Sequence, residues 1–141
     1  MHEWSLAEGI IATISDECSR LSVDSVSDVD LSVGELAQIE LPVLREALRS
    51  LKKGTVMSGC RIHISQEKTA FRCRKCGRNW SFSDSRKELE PLGDGGDNAV
   101  HYIPSSINAF ISCPSCGSPD FDISSGFGLR ISRFKPGGRR I

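Results

Sequence analysis

A histidine at position 2 places three nitrogens within chelating reach of one metal: the terminal amine, the His2 backbone amide and the His2 imidazole. Two fused chelate rings in a plane suit a metal that prefers square-planar nitrogen coordination, which means Ni(II) or Cu(II). Met1 and His2 would together supply those three nitrogens, and the bulky second residue predicts that Met1 is retained. Without that chemistry, His2 is one more polar residue on a frayed terminus.

A second constellation is built from sulfur. Four of the six cysteines form two pairs, Cys73-Arg74-Lys75-Cys76-Gly77 and Cys113-Pro114-Ser115-Cys116-Gly117. A Cys-x-x-Cys-Gly turn aims two sulfurs at one point, and its glycine tolerates left-handed backbone. Two such turns supply a tetrahedron of thiolates, the arrangement of a closed structural zinc site. A rubredoxin-like iron site is the alternative. Four thiolates leave no open coordination position, so the site is not catalytic. Binding zinc to such a segment is worth on the order of 10 kcal/mol of folding free energy. The pairs are 36 residues apart. The stretch 84–112 is therefore expected to lack a stable core without the metal.

Three nitrogens leave one corner of a square plane, and two further imidazoles exist, His63 and His101. His63 alternates with Ile62 and Ile64, which predicts a surface role. His101 follows Leu92-Gly93-Asp94-Gly95-Gly96-Asp97-Asn98, a loop composition, and could swing to the N-terminus. Its other role is a packing residue beside Tyr102. Cys18 and Cys60 fall on apolar stripes and read as small buried hydrophobes. Trp4 and Trp80 read as packing residues.

The elements that must position these groups follow from periodicity. Leu6, Ile10, Ile14, Cys18 and Leu21, widened by Ile11, recur at helical spacing and predict a helix over 3–22. Val29, Leu31 and Val33 alternate with polar residues and predict a strand over 26–34. Pro42 opens a second helix over 42–53, with Val43, Leu44, Ala47, Leu48 and Leu51 on its buried face. Cys60, Ile62 and Ile64 mark a second strand. Asn79 to Ser83 is expected to leave the first knuckle as a hairpin. Leu129, Ile131 and Arg133 mark the final strand, and 137–140 a frayed end. The predicted fold class is α+β: a module of two helices on a three-stranded sheet, residues 1–67 with 125–141, and an inserted four-cysteine zinc-ribbon domain, 68–124.

Net charge is zero but uneven: −5 over 1–67, zero over 68–124 and +5 over 125–141. An acidic front and a basic tail of equal size suggest that the tail returns to the front module. Neutrality argues against a general nucleic-acid binder. No apolar run is long enough to span a bilayer. The first 20 residues lack a secretory pattern, which predicts a cytoplasmic protein with reduced thiols.

The start Met1-His2-Glu3-Trp4-Ser5-Leu6, with Val33-Gly34-Glu35-Leu36 after the first strand and two CxxC pairs, resembles the HypA/HybF family over essentially the whole chain. The resemblance implies a nickel metallochaperone of [NiFe]-hydrogenase maturation that carries out no chemistry of its own. It implies Ni(II) held by the N-terminal residues with His2 essential, and structural zinc at Cys73, Cys76, Cys113 and Cys116. It also implies a HypB-type GTPase partner and delivery to the hydrogenase large subunit. The long segment between the cysteine pairs resembles the archaeal form, in which the histidine of a stretch like His101-Tyr102-Ile103-Pro104 can complete the nickel site. His101 is accordingly a conditional nickel ligand. Glu3 is either a first-turn carboxylate favoured by the helix dipole, a group behind the ligand set or a GTPase contact. The competing function is a zinc-ribbon nucleic-acid or protein-interaction adaptor, supported by Arg72, Arg74, Lys75 and Arg78 around the first knuckle. The oligomeric state stays open between a monomer and a domain-swapped homodimer, with no membrane partner.

Overall fold

A computed structural model describes residues 2–89, Val100 and 103–137. The chain divides into two compact units, one of Met1–Ser32, Glu40–Ser65 and Arg130–Ile141, the other of Val33–Ile39 and Gln66–Leu129. The fold is α+β, as the sequence pattern predicts. Met1, the 92–98 loop, His101, Tyr102 and residues 138–140 lie outside the described residues.

In the first unit, helix α1 (His2–Leu21) packs on helix α2 (Leu41–Leu51). The sheet is formed by β1 (Val26–Gly34), β2 (Arg61–Glu67) and β6 (Leu129–Pro136) in the order β2-β1-β6. The buried stripe of α1 is Glu3, Ala7, Ile10, Ile11, Ile14 and Cys18, so its register differs from the expected one at both ends. Leu21 is 49% exposed because the helix stops on Ser22, whose φ is +58°. The Val23 N–H then returns to the Cys18 carbonyl at 2.9 Å. Leu6 is only half-buried. Glu3 takes the buried position because its Oε2 accepts the Glu40 N–H at 3.3 Å, at the N-cap of α2. A carboxylate there satisfies the N-cap residue's own N–H and sits at the positive end of the α2 dipole.

The central strand β1 is clamped from both sides. Asp28 takes Arg61 at 3.1 Å and His63 at 3.2 Å from β2. Asp30 takes Arg133 of β6 at 3.2 Å, so the basic tail does return to the acidic front. Opposite charges across neighbouring strands favour this register.

The second unit carries a sheet of β3 (Ala70–Cys73), β4 (Asn79–Ser81) and β5 (Phe121–Ser125), antiparallel in the order β4-β3-β5. Phe71 pairs with Trp80 and Cys73 with Phe121. The rings of Phe71, Trp80 and Phe121 lie 5.1–5.3 Å apart and centre the core.

The expected hairpin over Asn79–Ser83 forms, with Asn79–Ser81 pairing back on β3 across the knuckle, but it ends two residues earlier than expected. After β4 the chain enters helix α3 (Phe82–Leu89). The Asp84 carboxylate accepts the Ser81 N–H at 3.2 Å, the acid's half of a Ser-x-x-acid capping box, while the Ser81 hydroxyl pairs with Ser83 Oγ at 2.9 Å. The stretch 84–112 also carries apolar side chains into the core. Leu89, Val100, Ile107 and Ile111 are all buried, the last two on and beside a 3-10 turn, Pro104–Ala109.

A buried polar knot joins Val33–Ile39 to the rest of this unit. Glu35 Oε1 accepts the Thr69 N–H at 3.1 Å and Oε2 accepts from Arg86 at 3.2 Å. Thr69 Oγ1 accepts the Leu36 N–H at 2.8 Å and donates to the Gly126 carbonyl at 2.7 Å. Beside it, the Gly34 N–H donates to the Gly128 carbonyl at 2.8 Å. A Cβ on Gly34 would sit 2.5 Å from the Gly126 carbonyl carbon and 2.9 Å from the Gly128 nitrogen, both backbone atoms that cannot rotate away. Gly34→Ala is therefore expected to destabilise the protein by about 3 kcal/mol. Gly59→Ala, which meets open space, should stay within about 0.5 kcal/mol. Urea denaturation of both variants checks this, and equal midpoints would refute the close approach. Among the described residues no helix is long and apolar enough to cross a membrane.

Candidate metal centre

The sulfur ligands are delivered by two knuckles of the same design. In the first, the Gly77 N–H returns to the Cys73 carbonyl at 3.1 Å. In the second, the Gly117 N–H returns to the Cys113 carbonyl at 2.8 Å. Both glycines are left-handed, with φ of +79° and +75°. The turn sequence thus folds as its spacing predicts, because only glycine holds that backbone at little cost.

The knuckles also bring backbone donors to sulfur. The N–H groups of Lys75 and Cys76 point to Cys73 Sγ at 3.3 and 3.4 Å, and that of Ser115 to Cys113 Sγ at 3.4 Å. These donors stabilise thiolates. In Cys73 the thiol is pulled down first by the Cys76 N–H, against burial, with the Lys75 N–H adding to the effect. Burial pushes the Cys113 thiol up, but the Cys116 and Ser115 N–H groups and the neighbouring thiols outweigh it and bring it down to about 6.

The four sulfurs lie within 4.8 Å of one another, with Cys73–Cys116 and Cys76–Cys113 each at 3.6 Å. A tetrahedron with zinc–sulfur bonds of about 2.3 Å has sulfur–sulfur edges of about 3.8 Å. The cluster therefore fits one four-coordinate zinc, and the cysteines are free thiols, not disulfides. Cys73 and Cys113 are buried in the hydrophobic core while Cys76 and Cys116 are exposed, so one flank of the site is wet. When bound, zinc links the two knuckles and offers no open position for catalysis.

The arginines around the first knuckle are largely satisfied within the unit. Arg74 pairs with Asp122 and, at 3.4 Å, with Asp120. Arg78 donates to Ser115 Oγ at 3.0 Å. A nucleic-acid surface needs uncompensated positive charge, and this flank spends two of its arginines internally.

At the N-terminus, His2 is the first residue of α1 and its side chain is exposed. Glu3 follows it, buried and tied to α2. Met1 and His101, the other expected members of a nickel site, lie outside the described residues. His63 lies on β2, its Nε2 3.2 Å from Asp28 Oδ1. Cys18 and Cys60 are buried, 1% and 2% exposed. Burial, aided by the Glu17 charge, pushes the Cys18 thiol up.

The Asp28 pairing has a pH signature. The hydrogen bond with His63, opposed by burial and reinforced by Ser27 and Arg61, holds the Asp28 carboxyl at about 2, below its usual 3.8. A depressed carboxyl contributes stability that is complete above its unfolded value and is lost as the pH falls toward the folded one. The thermal midpoint of Asp28→Asn is expected to lie below that of the parent above about pH 4. The gap should close toward pH 2. A gap that persists unchanged at pH 2 would show that the carboxylate charge is irrelevant.

Sequence reasoning passed over Thr69 and Arg86, whose partners lie 34 and 51 residues away at Glu35. Glu35 itself stands in the Val33-Gly34-Glu35-Leu36 motif, the one signal that could have marked the knot.

The family model described as hydrogenase/urease nickel incorporation, metallochaperone, HypA, matches residues 1–135. The hydrogenase maturation factor HypA of Pyrococcus horikoshii is 35% identical over 135 residues, covering 96% of this chain and 95% of that one. HypA of Pyrococcus furiosus is 34% identical over 132 residues, covering 94% and 93%. The solution structure of the Ni metallochaperone HypA from Helicobacter pylori superposes with a TM-score of 0.60 at 15% identity, covering 95% of this chain and 96% of that one. That likeness is one of fold.

Proposed function

Because the chain belongs to the HypA family of nickel-incorporation metallochaperones, we propose that it binds Ni(II) at its N-terminus and passes it on during [NiFe]-hydrogenase maturation. The observation that carries this reading is the match along residues 1–135, which takes in the Met1-His2-Glu3 start as well as both cysteine pairs. The protein acts by binding and transfer in the cytoplasm and is not an enzyme.

The ligands are the Met1 amine and the His2 amide and imidazole. Amides in the first turn of a helix take no part in its internal ladder. Metal binding by the His2 amide therefore breaks no helical hydrogen bond. Glu3 stands behind the ligands as a positioning residue: its bond to the Glu40 N–H fixes the first turn of α1 against α2. His101 completes the square plane when the cysteine domain presents it. In functional terms 1–67 with 125–141 is the nickel module and 68–124 the inserted zinc domain, with zinc at Cys73, Cys76, Cys113 and Cys116. A HypB-type GTPase serves as partner and the hydrogenase large subunit as recipient.

The test is a Ni(II) titration of untagged, zinc-loaded protein beside His2→Ala, followed by absorption. One-to-one binding with a planar d–d band that His2→Ala loses is the expected result. Equal binding by both proteins, or none by either, overturns the reading and favours an adaptor whose only metal is zinc.

A further inference from the structure

Helix α2 and the edge strand β2 enclose an open groove of about 320 Å3 in the first unit, with Leu48 and Ile62 in its wall. Its lining carries four permanent cations, Arg45 and Arg49 from α2, Lys52 at the C-cap of α2 and Arg61 from β2, with His63 beside Arg61. The carboxylates that face these groups are Glu46, 3.0 Å from Arg49, and Asp28, shared by Arg61 and His63. Lys52 Nζ donates to the Cys60 carbonyl at 2.6 Å. Arg45 is exposed and makes no ion pair among the described residues. Four permanent cations against two carboxylates leave a local excess of positive charge. The sequence concentrates it there: 41–65 holds five basic residues and only Glu46 on the acidic side, whereas 1–32 holds seven acidic residues and only Arg20 on the basic side.

The spacing selects the ligand. Arg45 and Arg49 of α2 and Lys52 at its C-cap follow one face of the helix, spread over about 10 Å of its axis. They form a row of charge along the groove, a match for a ligand whose negative groups are themselves spaced in a row. An extended chain repeats the same face every second residue, about 6.6 Å, close to the roughly 6 Å rise between Arg45 and Arg49. The β2 edge beside the groove can also receive such a chain along its backbone.

We propose that the α2–β2 groove is a docking site for an extended acidic segment of a partner protein, carrying carboxylates on alternate residues. This holds whether or not the N-terminus binds nickel. The test uses the full, zinc-loaded chain, labelled with 15N, and a short peptide of alternating Glu and Ala, with its Gln counterpart and inorganic phosphate as comparisons. The acidic peptide should shift amides in 45–63. The Gln peptide should bind at least tenfold more weakly. Arg45→Glu with Arg49→Glu should weaken the acidic peptide at least tenfold, and Arg45→Gln alone by a few-fold. Rising salt should weaken it further. Shifts that avoid α2 and β2, equal binding by the double variant or the Gln peptide, or displacement of the peptide by phosphate at matching concentration would each overturn the proposal. The last outcome would make the groove a small-anion site.

Discussion

Replacing Cys113 with serine is expected to unfold the cysteine unit while α1, α2 and their sheet keep their amide protection. Cys113 serves two structures at once: its sulfur is one corner of the four-sulfur cluster, and its side chain is buried in the core with Phe71, Trp80 and Phe121. A core of this size supplies about 3–5 kcal/mol by itself, whereas a structural zinc contributes on the order of 10 kcal/mol. Removing one ligand forfeits most of the metal's share, more than the core can offset. A chelator should have the same effect on the parent protein. Hydrogen exchange resolved by segment is the measurement, with the near-ultraviolet signal of Trp80 beside it. The amides of β3 and β5 should lose protection and those of α1 should not. Full protection of β3 and β5 in a protein shown to hold no metal would end the case for a structural zinc.

His2→Ala should lower nickel affinity by at least a hundredfold, because it removes the imidazole and opens one of the two fused chelate rings. A hundredfold corresponds to about 2.7 kcal/mol, a modest figure for a transition-metal nitrogen bond. The binding reaction also releases protons, since the ligands bind in deprotonated form. Affinity in the parent should therefore fall steeply as the pH drops from about 7.5 to 5.5. In His2→Ala any residual weak binding should follow a shallower slope. A flat profile in the parent would rule out an amine, amide and imidazole set. Glu3→Gln keeps a hydrogen-bond acceptor for the Glu40 N–H and should retain binding. Glu3→Ala releases the first turn of α1 and should weaken it, and rescue by the amide separates positioning from charge.

Much of the fold was legible because its signals are local. The alternation of Val29, Leu31 and Val33 marked β1, and the spacing of Leu44, Ala47 and Leu48 marked α2. The two Cys-x-x-Cys-Gly turns specify their own backbone, so the sulfur cluster followed from spacing alone. The misses are of another kind. Helix α3 is polar, and apolar periodicity overlooked it although Ser81 and Asp84 announce its start. Leu21 carries an apolar side chain at the right spacing, but it is the last residue of the helix, which stops on Ser22 and leaves it in solvent. Glu3 occupies a buried position that periodicity reserves for apolar groups, because its partner lies 37 residues away on another helix. The knot of Glu35, Thr69 and Arg86 and the cationic groove are likewise assembled from distant segments. Pairings of that range are set by the whole fold and leave no mark in a window of neighbouring residues.

The strand order β2-β1-β6 has a consequence for synthesis on the ribosome. The central strand β1 is made early, and Asp30 must wait for Arg133, more than a hundred residues later, to close its second edge. At ordinary elongation rates that delay is about 5–20 s. Residues 66–129 emerge within the interval, so the cysteine unit can acquire its metal while the other sheet is still unfinished. During that wait the nascent chain presents an open strand edge, the kind of surface that neighbouring chains on the same message can capture.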